Sequence, residues 1–144
     1  MYQKKITATW AQMDANAHLK NTAYSEFATH TRLSFFAENG FPPKNLAKLQ
    51  VGPVILREEV FYYREVHLLE NLKVDCALYK ATKDFRKFHF LHHIYKENGK
   101  LAAKLTLDAL WLDLKIRKPI APPEELFKVC QLFPKTEDFE WLDG

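Results

Sequence analysis

Glycine is scarce in this chain, at 4 of 144 residues. Neither G-x-x-x-x-G-K-[ST] nor G-x-G-x-x-G occurs, so a phosphate-cradling nucleotide loop is not expected. Cysteine is scarcer still. Cys76 and Cys130 lie far apart and show no metal-ligand spacing. They are expected to be reduced, buried thiols, as in a cytoplasmic protein. No stretch of 18 apolar residues is present, so no membrane span is predicted. The opening MYQKKITATW lacks the apolar run of a signal peptide. Arginine-rich runs and nucleic-acid motifs are missing too, which argues against a nucleic-acid partner. After Lys135 there is no basic residue, while Glu137, Asp138, Glu140 and Asp143 follow. Residues 1–135 thus hold 21 basic and 14 acidic side chains, a net of +7, against +3 for the whole chain. A basic body attracts anionic ligands such as phosphorylated cofactors, and is equally an ordinary solvated surface.

Apolar and aromatic residues are plentiful. Hydrophobic side chains make up 47% and aromatics 14%, with 11 Phe. That is enough for a real core, or an apolar pocket, without disulfides or metals. The length suits one domain spanning residues 1–144.

Lys4 to Trp10 alternates as a short strand. A polar stretch, Ala11 to Lys20, precedes a helical pattern in which Tyr24, Phe27, Ala28, Thr31 and Phe35 recur at helical spacing. Asn39-Gly40 stops that helix, and Phe41-Pro42-Pro43 prevents its continuation. Residues 40–52 read as a loop with at most one helical turn. The period then becomes two, predicting strands near 54–66, 72–82, 86–97 and 101–114, with Asn98-Gly99 as a hairpin turn. Leu105, Leu107, Ala109 and Trp111 share one face of the last strand. Pro122-Pro123 starts a short helix, Glu124 to Leu132, before an acidic tail in which Phe139 and Trp141 offer docking points. One long apolar helix followed by four long strands packs most simply as an α+β fold, a curved antiparallel sheet wrapped around the helix.

The segment Trp10 to Phe27 carries the most chemistry. Asp14, Asn16 and His18 lie just before the N-terminus of a predicted buried helix. Unpaired N–H groups there, with the helix dipole, polarise a carbonyl oxygen. A neighbouring carboxylate attacks that carbonyl or activates water against it. Taken alone, the same residues read first as turn and capping groups, since a lone Asp before a helix is weak evidence of a site.

The run D-x-N-x-H-L-x-N-x-x-Y, formed by Asp14, Asn16, His18, Leu19, Asn21 and Tyr24, resembles the signature of hotdog-fold acyl-CoA thioesterases, specifically the 4-hydroxybenzoyl-CoA thioesterase-like superfamily. Residues 54–74, the Asn-Gly hairpin with residues 99–104, and Trp111 to Leu114 are similar to the second and last two strands of that family. The similarity covers about residues 4–118 and leaves the helix and acidic tail of 119–144 outside it. The resemblance implies an acyl-CoA thioesterase in which Asp14 is the catalytic carboxylate, as general base or nucleophile. It implies that the backbone N–H of Asn21 binds the thioester oxygen, with Asn16, His18 and Tyr24 shaping the substrate site. It implies no metal and no cofactor beyond coenzyme A as part of the substrate. It also implies a homodimer or homotetramer with the site at the dimer interface. Two departures stand out. Many relatives carry Pro where this chain has Glu65, and several carry Gly near Ala17.

Other residues weigh less. Glu59, and after it Glu58, is a candidate to face the site from across the dimer, against the favoured reading of a cross-strand salt bridge with Arg57, Arg64 or a lysine. His89, His92 and His93 read as sheet residues, not metal ligands. Lys80, Lys83, Arg86 and Lys87 are candidates for coenzyme A phosphates or a plain charged hairpin tip. A hotdog enoyl-CoA hydratase and a non-catalytic acyl-CoA or acyl-carrier-protein binder remain as alternative functions. The hydratase motif, however, spaces its His five residues after the Asp, not the four seen here.

Overall fold

A computed structural model describes residues 2–143. The chain runs β1 (Tyr2–Thr7), a single 3-10 turn (Trp10–Gln12), α1 (Asn21–Glu38), α2 (Pro43–Leu49), β2 (Val51–Tyr62), β3 (Asn71–Thr82), β4 (Lys87–Tyr95), β5 (Leu101–Asp113), β6 (Lys118–Pro119), α3 (Glu124–Cys130) and β7 (Lys135–Leu142).

Helix α1 follows from its apolar spacing. Tyr24, Phe27, Ala28, Thr31 and Phe35 are all buried, and Ala23 and Phe36 widen the apolar face. Its end is a Schellman stop: Gly40 takes φ +81°, its N–H donates to the Ala37 carbonyl at 3.2 Å, and the Phe41 N–H donates to the Phe36 carbonyl at 2.8 Å. Phe36 and Phe41 then join one core cluster.

The sheet order is β1-β3-β4-β5-β2, antiparallel throughout this path. The inner faces of β4 and β5 alternate as the sequence predicts: Phe88, Phe90 and His92, then Leu105, Leu107, Ala109 and Trp111, are buried. This curled sheet around one central helix, with a short helix near the C-terminus, is the hotdog architecture. Strand β2 is the open edge, paired only with β5 among the described residues. No helix among those residues is long and apolar enough to cross a membrane.

Three features differ from the sequence expectations. Residues 43–49 form a complete short helix, begun by Pro43 at its first position and closed by Gln50 in the left-handed region. Strand β2 starts at Val51 and holds Pro53, which an edge strand accommodates. The acidic tail is strand β7, parallel to β3 and occupying the stretch of its edge that β1 leaves free. Phe139 and Trp141 anchor it, with Trp141 edge-on to Phe85 and Lys135 over both rings. The packed core accordingly runs past residue 118, through Leu126, Val129, Cys130 and Phe133.

Candidate active site

The loop before α1 folds on itself. The Asp14 N–H donates to the His18 carbonyl at 2.8 Å, and Met13 pairs with Leu19 across the loop's base. One carboxylate oxygen of Asp14, Oδ1, accepts from the N–H groups of Asn16 at 2.8 Å and His18 at 3.1 Å. This Asx-type arrangement fixes the carboxylate through Oδ1, while Oδ2 has no hydrogen-bond partner among the described residues. The turn needs a left-handed residue, and Ala17 fills it at φ 61°.

The loop is held on its far side by the connection between β2 and β3. The Leu19 N–H donates to the Val66 carbonyl at 3.0 Å, and His18 Nε2 lies 3.3 Å from Glu65 Oε2. His18 and His67 meet edge to face, 6.0 Å between ring centres. Lys96 anchors that connection in turn, donating to the Glu65 carbonyl and to Glu70 at 3.1 Å.

Helix α1 begins at Asn21 with no side-chain cap. Among the described residues nothing accepts from the Asn21 N–H, so a polarised donor is left at the helix start. Tyr62 stands over it, its hydroxyl donating to the Asn21 carbonyl at 3.3 Å and its ring edge-on to Tyr24 at 5.0 Å. Burial, then the neighbouring Tyr62, pushes the Tyr24 phenol up to about 12, so it stays protonated. Asp14, His18, Asn21 and Tyr24 all line one open cleft of about 370 Å³, together with Tyr62, Tyr63, Arg64 and Glu65.

The structure does not bring every candidate there. The Asn16 side chain is outside the cleft, and its contribution is the backbone N–H to Asp14. Glu59 sits on the outer sheet face opposite Thr106, 3.8 Å from Arg57, away from the cleft. Glu58 is the glutamate that faces α1, where Ser25 donates to it. Lys80, Lys83, Arg86 and Lys87 cluster at the β3–β4 turn, the opposite end of β3 from the cleft. Tyr62, Tyr63, Arg64 and Glu65 are the lining residues that the loop motif alone does not show. Their signal is the Tyr-Tyr-Arg-Glu run that ends the alternation of β2.

Residues 8–129 match the family model described as the thioesterase-like superfamily. The chain belongs to this superfamily. Solved structures with the same fold include a hypothetical protein from Staphylococcus aureus in complex with CoA, at 22% identity and TM-score 0.81, covering 90% of this chain and 81% of that one. A DHNA-CoA thioesterase from Staphylococcus aureus is 18% identical with TM-score 0.81, covering 90% and 87%. A probable thioesterase from Escherichia coli is 21% identical with TM-score 0.76, covering 94% and 100%. At such identities these likenesses establish the architecture. No curated protein matches the chain by sequence.

Proposed function

We propose that this superfamily member hydrolyses an acyl-CoA thioester to a free acid and coenzyme A. The observation that carries the proposal is that the Asp14 carboxylate and the uncapped start of α1 at Asn21 line one cleft. The thioester carbonyl accepts from the Asn21 N–H, which stabilises the developing oxyanion. Asp14 Oδ2 then works in one of two ways. As general base it takes a proton from water, whose oxygen bonds to the acyl carbon. As nucleophile it forms a mixed anhydride that water later cleaves. In both, the C–S bond breaks and the thiolate leaves with the electron pair. A thiol pKa near about 8.5 makes acid assistance unnecessary. The chemistry requires no metal or redox cofactor, and coenzyme A enters as part of the substrate. The CoA complex of the Staphylococcus aureus neighbour supports that choice of carrier.

The working form is proposed to be a homodimer joined along β2. This twelve-residue edge exposes Ile55, Leu56, Phe61 and Tyr62, a surface that isolated chains rarely leave open. Pairing there places a second copy beside Tyr62 and the cleft.

The test is free-thiol release from short, medium, long and aromatic acyl-CoA esters, with Asp14→Asn in parallel. Turnover that vanishes in the variant supports the reading. Equal turnover in both proteins, or none on any ester, overturns it.

A further inference from the structure

A second cavity, of about 230 Å³, opens between the C-terminal half of α1, α2 and the inner face of the sheet. Its wall is apolar, with Leu33, Phe36, Phe90 and Trp111, except for Thr29 and Arg32. Arg32 is only 8% exposed. Its guanidinium donates from Nη2 to the Thr29 hydroxyl at 3.0 Å and from Nη1 to His92 Nε2 at 2.9 Å. His92 Nδ1 donates to the Asp75 carbonyl at 2.7 Å, which makes Nε2 the acceptor and the ring neutral. Arg32 therefore meets two neutral partners and uses two of its five N–H donors.

No carboxylate among the described residues lies within ion-pair distance of this buried cation. Glu58, whose charge favours the Arg32 cation without pairing with it, accepts from Ser25, and the Asp75 carboxylate accepts from the His93 N–H and lies 2.9 Å from His93 Nδ1. A desolvated guanidinium without an anion is costly, and its planar fork matches a carboxylate. An apolar cavity with a single cationic group on its wall has the chemistry of a carboxylic-acid site.

We propose that this cavity binds a small carboxylic acid with an apolar body, its carboxylate paired with Arg32 and its chain lying along Phe36 and Phe90. The site is separate from the thioester cleft. The two cavities share no lining residue. Arg32 and Asn21 are eleven positions apart on α1, about 16 Å along the axis. Ser25 and Glu58, bonded to each other, fall between the cavities along both α1 and β2. The ligand belongs to the class that thioester hydrolysis releases, yet the site stands whether or not Asp14 catalyses that reaction.

The experiment is calorimetric titration of the full chain with octanoate and with octan-1-ol, its uncharged counterpart. Octanoate is expected to bind saturably, one per chain, and at least ~10-fold more tightly than octanol, a margin expected of a charge-assisted pair. Arg32→Met is expected to lose that preference while octanol binding persists. If Arg32→Met does not fold, Leu33→Trp, a change at a partly exposed residue of the cavity rim on α1 and off the β2 edge, is the second variant and should exclude both ligands. Asp14→Asn should bind octanoate as the unaltered chain does, and free coenzyme A should not displace it. Failure of octanoate to bind, equal affinity for octanol, retained preference in folded Arg32→Met, or displacement by coenzyme A overturns the proposal.

Discussion

His18 and Glu65 join the two walls of the cleft, with Nε2 of one 3.3 Å from Oε2 of the other. The position at which many related thioesterases are expected to carry Pro is thus a polar tie to the Asp14 loop. Both side chains are substantially solvent-exposed, so water screens the pair and its contribution to stability is small. Glu65→Ala is expected to change unfolding stability by less than ~1 kcal/mol, read from urea midpoints. A larger loss would mean that the pair is more sheltered than its exposure implies.

Asp14→Asn is the sharpest change to the proposed chemistry. Asn retains an acceptor oxygen for the Asn16 and His18 N–H groups, so the loop should keep its shape. It cannot accept a proton from water or attack as an anion. The expected result is a fall in kcat of at least ~100-fold with an unchanged thermal midpoint. A parallel loss of folding would assign Asp14 to loop structure.

Ala17 holds the left-handed corner of the same loop at φ 61°. A left-handed alanine costs about 1–2 kcal/mol, which glycine avoids. Glycine also loses more chain entropy on folding, which offsets part of that gain. Ala17→Gly is therefore expected to raise stability by up to ~1 kcal/mol, visible as a higher Tm. A lower Tm would show that chain entropy outweighs the relieved strain.

Much of this architecture is legible in local patterns, because burial imposes a period. The α1 stripe, the Asn39-Gly40 stop and the Asn98-Gly99 turn are local devices and appear where the sequence puts them. Strand β7 is not legible, because its acidic residues signal solvent. What holds it is a free stretch of β3 edge and the Phe85, Phe139 and Trp141 rings, all long-range facts. Asp14, His18, Asn21 and Tyr24 are close in sequence, and the cleft gathers all four. Within one chain Glu59 lies off this cleft, and alternation alone gives two faces without saying which is inner. The pairing of Glu58 with Leu107 and of Glu59 with Thr106 decides that.

The open β2 edge predicts association. Native chains leave such a strand uncovered only with protective charge, proline or bulges. Here Pro53 and an irregularity between Ile55 and Arg57 interrupt one end, while Phe61 and Tyr62 leave the other end apolar. Sedimentation is expected to give at least twice the 16.9 kDa chain mass. Phe61→Lys should shift it toward the single-chain value and lower hydrolysis with it. A monomer in the unaltered chain would remove the proposed dimer.

His92 makes stability depend on pH. It is fully buried, and burial first, with Arg32 next, depresses its pKa from 6.5 to about 3. The folded protein keeps the ring neutral while the unfolded chain takes up a proton below pH of about 6.5. The unfolded state therefore binds more protons between about 3 and 6.5, and stability rises with pH across that window. The contribution is complete above about 6.5 and is lost progressively on acidification. One such proton corresponds to a slope of about 1.4 kcal/mol per pH unit. Gln offers both a donor for the Asp75 carbonyl and an acceptor for Arg32 but does not titrate. His92→Gln should thus fold and should flatten the stability profile between pH 4 and 6 by about one proton. An unchanged slope in urea unfolding over that range would show that His92 is already charged in the folded chain.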